Sequence, residues 1–454
     1  MKASVPAILA LTVLTGCVPA LTRAPEASVP EVPRQWRTPL ETDSSIEKEW
    51  WQSFGDPRLS ELVARAQANN PDIAIAAARV REARAQEAVS RSFLLPTLDL
   101  SAPAAQSRSL SPFGTASEGF AAQPVFRASY ELDFAGGNRA QVAASAADAA
   151  AAEALREAVV LSVTSATATG YITLLALDSR LDVLRGTLEA RREAMLIARD
   201  QMEAGYTSEL ELRQAESLFH GAEQQIPEIQ AAVTRQENAL SQLIGENPRP
   251  VERGTFSALH RPVIPAVLPS EVTRRRPDII QSEQTLAASD ARMRVARAQF
   301  MPRVDLAASA GAVISSGLSD PVGIWSLGGS VLAPLFSGGR LQGQFDAATA
   351  QRDQAAFDYR ATVLNAFREV EDQLAAISRL DEQEVALVAQ RVAVADSLRH
   401  ATNRYRAGYS PYLEQVDAQR VLLAVDISLV QLRNDRLTAC VALYQALGGS
   451  PEGQ

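Results

Sequence analysis

The segment Val125-Phe126-Arg127-Ala128-Ser129-Tyr130-Glu131-Leu132-Asp133-Phe134 alternates strictly. Phe126, Ala128, Tyr130, Leu132 and Phe134 fall on one face of an extended chain, with Arg127, Ser129, Glu131 and Asp133 on the other. Period two with faces of opposite polarity predicts a strand that meets apolar surroundings on one side only. Ala135-Gly136-Gly137 then turns the chain into residues 138–203, which contain no proline. At ~1.5 Å per residue that stretch is a helix of roughly 100 Å, against an average of about 11–12 residues in globular proteins. Gly170 and Gly186 are where it would bend or break. Ala204-Gly205-Tyr206 closes it in a sharp hairpin, Ser208 and Glu211 have capping-box spacing, and a helix returns through 208–245 with Pro227 as a kink point.

The same order of features recurs about 200 residues later. Pro71-Asp72-Ile73 returns as Pro277-Asp278-Ile279, and Phe134-Ala135-Gly136-Gly137 as Phe336-Ser337-Gly338-Gly339. Ala204-Gly205-Tyr206 returns as Ala407-Gly408-Tyr409, while Leu240, Gln242, Gly245 and Pro248 return as Leu443, Gln445, Gly448 and Pro451. This is a tandem duplication. Each copy predicts a proline-initiated helix (71–92, 277–300), two strands, a very long helix (138–203, 340–406) and a returning helix (208–245, 411–447). In the second copy Ser410 is a candidate cap and Pro411 the opening residue. The second-copy strand sets Val304, Leu306, Ala308, Ala310, Ala312 and Ile314 against Asp305, Ser309 and Gly311. Partner strands are expected near 95–105 and 323–334, with polar, small-residue loops at 106–120 and 315–322.

At the amino terminus Lys2, the short apolar run Val5–Val13 and Leu14-Thr15-Gly16-Cys17 have the form of an export signal, too short for a permanent membrane helix. Its spacing resembles a lipoprotein signal, in which cleavage leaves an acylated Cys17; Val18, in place of an aspartate, points to the outer membrane. No later stretch offers ~20 continuous apolar residues, so any membrane crossing must use strands. After Cys17 only Cys440 remains, which excludes an internal disulfide. The net charge of −9 and the scatter of basic among acidic residues exclude a nucleic-acid surface. His220, His260 and His400 lack metal-ligand spacing, and no nucleophile elbow or phosphate loop appears, so no enzyme, metal or cofactor is expected beyond the covalent lipid. The domain reading is a signal peptide at 1–16, a lipidated extended segment at 17–55, a first repeat at 56–250, a linker at 251–270 and a second repeat at 271–454.

Four amphipathic strands cannot close a membrane barrel alone, because edge N–H and C=O groups stay unpaired in lipid and small membrane barrels need eight strands. They must be pooled between chains, and three chains would give twelve. Trp50-Trp51, Phe54, Asp56-Pro57, Leu59, Asn69–Ile73, Arg275-Arg276-Pro277-Asp278-Ile279, Phe300-Met301-Pro302, Phe336-Ser337-Gly338-Gly339 and Ala407-Gly408-Tyr409 together resemble the TolC-type outer-membrane factors, in particular NodT-like efflux lipoproteins. The resemblance runs in order over residues 17–450. It implies a mixed α and β membrane protein: a homotrimeric twelve-stranded β-barrel in the outer membrane, continued by a long periplasmic α-helical barrel. The function implied is the passive exit duct of a tripartite efflux pump for small molecules, fed by an inner-membrane transporter of RND type through a periplasmic adaptor.

The resemblance also assigns residues. Leu413 matches an apolar ring and Asp417 an acidic ring at the periplasmic aperture, with Glu414 where some relatives place another carboxylate. Taken alone, these carboxylates read more often as solvated surface; the resemblance reverses that for Asp417 and only balances it for Glu414. Tyr405 and Arg406 resemble residues that latch neighbouring hairpins, or are ordinary end-of-helix residues. The tips Ala204, Gly205, Tyr206, Ala407, Gly408 and Tyr409 are the expected adaptor-docking points. Type I secretion, metal efflux, a pump-free porin and a structural helical lipoprotein remain as alternatives.

Overall fold

The computed structural model describes residues 18–38, 49–110 and 112–449; Cys17 and the signal segment lie outside these. The described chain runs α1 (Pro57–Asn69), α2 (Pro71–Ser92), β1 (Thr97–Ser101), β2 (Ala104–Leu110), β3 (Ala116–Ala122), β4 (Val125–Leu132), α3 (Gly137–Glu203), α4 (Glu209–Glu223) and α5 (Gln225–Leu243). It continues with α6 (Pro269–Arg275), α7 (Pro277–Ala298), β5 (Arg303–Ser315), β6 (Val322–Leu332), α8 (Arg340–Arg406) and α9 (Tyr412–Ala446).

Residues 18–30, 78–154 and 281–361 form one compact unit, which holds the sheet. All strand pairs are antiparallel: β1 with β4, β2 with β3, β3 and β4 with β5, and β5 with β6. Pro103 and Pro124 interrupt the first two strand paths, because proline donates no ladder hydrogen bond. The six segments therefore follow four paths, in the order β1/β2, β3/β4, β5, β6. The loop expected at 106–120 is a correction: most of it is β2 and β3. One face there carries only Ala, Ser and Gly and the other mixes Gln106, Arg108 and Glu118 with Leu110 and Phe120, so the polarity alternation that betrays a strand is lost while the backbone ladder persists.

Around the helices of this unit, Ser90 and Ser145 share a buried hydroxyl bond of 2.7 Å, and Phe300 packs edge-on to Phe345 beside Met293 and Ala296. The amino-terminal segment is fastened by arginines. Arg297 donates to the Pro19 carbonyl at 2.9 Å, Arg352 to the carbonyl and hydroxyl of Thr22 at 2.8 and 3.0 Å, and Arg360 to the Ala27 carbonyl. Arg352 is fully buried and also meets Asp353 and Asp290.

Residues 31–77, 155–280 and 362–454 form the second unit, described here for the residues named above. Its core gathers Trp50, Phe54, Leu59, Tyr171, Ile172, Leu174, Leu175, Leu240 and Ile279, and Trp50 stacks on Tyr444 at 5.1 Å. The Tyr171 hydroxyl donates to Asp56 at 2.6 Å and accepts from the Gly254 N–H. Burial and the neighbouring Asp56 push its pKa well above the usual phenol range. Segment 246–268 is held by Arg253, which bridges Asp178 and Glu237, and by Trp36, whose Nε1 donates to the Val267 carbonyl at 2.6 Å.

The duplication appears as a repeated joint. Asn70 breaks α1 from α2, caps α2 through Oδ1 to the N–H groups of Asp72 and Ile73, and donates to the Leu243 carbonyl at 2.8 Å. At the corresponding place Arg276 separates α6 from α7, binds Asp278 and Glu369, and donates to the Ala446 carbonyl at 2.9 Å. Burial lowers the pKa of Arg276, but Asp278 and Glu369 outweigh it and raise the net value. Gly245 and Gly448, both at positive φ, follow the returning helices; a Cβ would lie 2.4 Å from the Asn69 carbonyl oxygen in one copy and 3.1 Å from Arg276 in the other. Only glycine lets the helix ends approach so closely.

Both long helices are continuous over 67 residues, so Gly170 and Gly186 do not interrupt the first. The expected interruption at Pro227 is present: α4 ends at Glu223, the residue whose carbonyl the Pro227 ring would strike, and α5 begins at Gln225, while Gln224 between them keeps helical φ and ψ. One 18-residue window of α3 has a mean hydropathy of 1.5, apolar enough to cross a membrane by composition, and half of it is buried. Ser, Thr and Gly interrupt its apolar residues, which is why no continuous apolar run marks it in the sequence.

Candidate functional site: a two-faced channel wall and the hairpin tips

Cross-strand register places one set of side chains on each face of the sheet. Leu98 and Leu100 of β1 lie opposite Ala128 and Phe126 of β4; Tyr130 and Leu132 lie opposite Leu306 and Val304; Ala310, Ala308 and Val304 lie opposite Trp325, Leu327 and Val331. Directly opposite residues share a face, so these form one apolar surface. It is uncovered: Leu98 is 71% exposed, Trp325 79% and Leu327 78%. The other face carries Asp99, Arg127, Glu131, Asp305, Ser309 and Ser326 by the same registers. Two hydroxyl pairs, Thr97–Ser129 and Ser309–Ser326, each at 2.8 Å, tie it across strands. Contiguous exposed apolar surface of this extent marks a membrane or protein contact, and apolar-out, polar-in alternation is the signature of a membrane β-barrel wall.

At the sheet end where β4 leaves, Asp133 accepts from the N–H groups of Asn138 and Arg139 and pairs with the Arg139 guanidinium. Burial raises its pKa, but these donors outweigh that and hold it below the usual carboxylate range. Phe134 and Phe336, exposed on the turns into the long helices, stand at this boundary.

The hairpin tips belong to the second unit, and the two copies are nearly identical. Gly205 and Gly408 have φ of 75° and 76°. The N–H of Tyr206 bonds the Gln201 carbonyl at 2.8 Å, and that of Tyr409 the Arg404 carbonyl at 2.9 Å. This is the Schellman closure of a helix, which requires the left-handed glycine. It leaves Ala204, Tyr206, Ala407 and Tyr409 exposed at the turns. The caps expected from sequence do not form. Ser208 makes no side-chain cap bond; Pro411 holds the cap position of α9, and the buried Ser410 hydroxyl has no partner among the described residues.

Between the tips lies a small apolar cluster of Ala198, Leu212, Ala215, Tyr412 and Val416, against which Tyr405 packs. The Tyr405 hydroxyl reaches Gln201 Oε1 at 3.1 Å and Glu211 Oε2 at 3.2 Å, joining the second hairpin to the first. Glu211 thus serves as an acceptor for Tyr405 instead of closing a capping box. Burial, then Glu211, pushes the Tyr405 pKa far up, so the hydroxyl keeps its proton. Arg406 is exposed and makes no hydrogen bond or ion pair among the described residues. Arg404, which the sequence reading passed over, pairs with Glu414 at 3.4 Å. Leu413 is 54% exposed, and Asp417 is exposed with Arg420 at 4.0 Å. Glu414 and Asp417 line one shallow depression of about 550 Å³ with His400 and Arg404. Sequence reasoning also missed Arg191, buried with one hydrogen bond, to the Leu218 carbonyl at 2.8 Å; desolvation lowers its pKa. No group of three or more metal-binding side chains occurs among the described residues.

A membrane-facing sheet joined in one chain to very long helical hairpins defines an exported channel protein rather than an enzyme. The family model for outer membrane efflux proteins matches residues 62–246 and 268–449. The pyoverdine export outer membrane protein OpmQ of Pseudomonas aeruginosa is 33% identical over 453 residues, covering 94% of this chain and 93% of the relative. The antibiotic efflux pump outer membrane protein ArpC of Pseudomonas putida is 32% identical over 448 residues, covering 94% and 91%. Among solved structures, the outer-membrane channel OprN superposes with a TM-score of 0.87 at 27% identity, over 95% of this chain and 99% of that one. The chain belongs to the outer membrane efflux protein family: it is an outer-membrane channel that reaches into the periplasm and serves as an efflux exit duct.

Proposed function

We propose that three copies of this chain close one twelve-stranded barrel, continued by an α-helical barrel, as the last segment of a tripartite pump that exports small molecules. The observation that carries this reading is the pair of open sheet edges. Among the described residues the β1/β2 path pairs only with β4 and β3, and β6 only with β5. Each outer edge therefore leaves a row of backbone donors and acceptors that lipid cannot satisfy. Pairing β6 of one copy with the β1/β2 edge of the next satisfies both rows, and repetition closes a ring.

The N-terminal segment begins at an acylated Cys17 that anchors the chain beside its own barrel. Ala204, Gly205, Tyr206, Ala407, Gly408 and Tyr409 meet the hairpins of a periplasmic adaptor, which passes on cargo from an RND-type inner-membrane transporter. Leu413, Asp417 and Glu414 narrow the periplasmic mouth, and the Tyr405 bond to Gln201 and Glu211 holds it closed. The names of OpmQ and ArpC support siderophore-sized or antibiotic-sized cargo. Native mass spectrometry of the detergent-solubilised protein is the test. Three copies, with cysteine pairs on β1 and β6 crosslinking between chains, are expected; a folded, membrane-inserted monomer or dimer would refute the reading.

A further inference from the structure

Where the sheet ends and the helices begin, the first unit has a half-open cavity of about 380 Å³ whose walls include Arg139, Arg294, Arg297, Val18, Leu21 and Met301. We infer that this cavity binds the headgroup of an anionic glycerophospholipid of the surrounding leaflet. Its position follows from its walls: Arg139 opens α3 just beyond β4, and Met301 immediately precedes β5. The cavity is therefore level with the edge of the apolar sheet face, near the exposed Phe134. Lipid phosphates lie at that depth, and aromatic side chains mark it in membrane barrels.

The charge is the second observation. Arg139 is neutralised by Asp133. Arg297 spends Nε on the Pro19 carbonyl and has no carboxylate partner among the described residues. Arg294, exposed on the same face of α7, has neither an ion pair nor a hydrogen bond there. In a chain whose other arginines are mostly paired with carboxylates, two uncompensated guanidiniums converge on one cavity. Guanidinium groups match phosphate oxygens bidentately, and basic pockets at the membrane surface recognise acidic headgroups. The apolar wall of Val18, Leu21 and Met301 suits the glycerol and first methylenes, whose chains continue along the apolar strand face. A zwitterionic lipid offers the same phosphate but brings a cation into a doubly positive site, so the site prefers a headgroup with net negative charge.

The full-length protein in detergent, titrated by native mass spectrometry with phosphatidylglycerol or phosphatidylcholine of identical acyl chains, tests this. Phosphatidylglycerol is expected to bind about fivefold or more tightly, and Arg294→Gln to weaken it about fivefold, the value of one arginine at a charged membrane surface. Phosphatidylcholine binding stays unchanged, as does either lipid in the control Arg406→Gln, another exposed arginine without a partner among the described residues. Equal affinity for both lipids, or an Arg294→Gln variant that binds like the parent, overturns the inference. Displacement of phosphatidylglycerol by millimolar inorganic phosphate overturns the lipid assignment in favour of a free-anion site. Phosphatidylglycerol binding seen only after Cys17→Ser overturns it too, by assigning the cavity to the chain's own acyl group.

Discussion

Leu327 and Ser326 are neighbours in β6 and point to opposite faces of the sheet. Leu327 is the central residue of the strand Val322–Leu332, lies opposite Ala308 and is 78% exposed on the apolar face. Its central place puts it near the bilayer midplane, where an arginine on the lipid face of a barrel costs about 2–4 kcal/mol, or roughly 30-fold to 1,000-fold in the insertion equilibrium. Ser326 faces Ser309, and replacing it removes one hydroxyl bond worth about 1 kcal/mol while leaving the new charge in water. Leu327→Arg is therefore expected to deplete the folded, heat-modifiable species in outer-membrane fractions. Ser326→Arg should leave its amount nearly unchanged and shift single-channel selectivity toward anions. Equal loss in both variants, or insertion of Leu327→Arg with failure of Ser326→Arg, would refute the assignment of faces.

Tyr405→Phe cuts the link to Gln201 and Glu211; at about 1 kcal/mol for a half-buried bond it should raise the open fraction of the channel about fivefold in planar bilayers. Because the Tyr405 pKa is raised, the bond is fully present below the ordinary phenol pKa and is lost only as pH rises through the higher folded value, so opening should not vary between pH 6 and 9. Asp417→Ala should lower cation selectivity and Leu413→Ala raise conductance; unchanged values in both would place the constriction elsewhere. Arg276→Met leaves the buried Ala446 carbonyl without its donor and the half-buried Glu369 without its ion pair, and should cost about 1–3 kcal/mol in denaturant titrations, the range for an acceptor left unsatisfied. Burial pushes the Cys440 thiol up to about 11, a stabilisation present below the ordinary thiol pKa and lost as pH rises through 11. Cys440 should resist alkylation at pH 8 until the protein is denatured; rapid labelling of the native protein would contradict its burial.

The parts of this fold legible in the sequence are those with strong periods. The alternation at 125–134 gives β4 and its two faces, and the proline-free stretches give α3 and α8 nearly to the residue. What depends on partners distant in sequence was not legible. Asn70 and Arg276 differ chemically, so no comparison of the two copies reveals that each fastens its own returning helix. Ser208 and Ser410 have the right chemistry for caps, but each hairpin closes through its left-handed glycine and neither hydroxyl makes a cap bond. Tyr405 was visible through resemblance, yet its acceptors lie in the other hairpin, and spacing along one helix carries no information about them. Arg404 was hidden because its partner Glu414 sits across a turn.

The paired joints at Asn70 and Arg276 also determine how the chain can be completed during synthesis. Each copy brings its last helix back to its own beginning, residue 243 to residue 70 and residue 446 to residue 276. The first joint needs the chain only as far as residue 243, whereas the second waits until residue 446 has emerged. A truncation that removes Gly448 therefore strikes at the second joint more than at contact area, because it takes away the close approach to Arg276 that seals it.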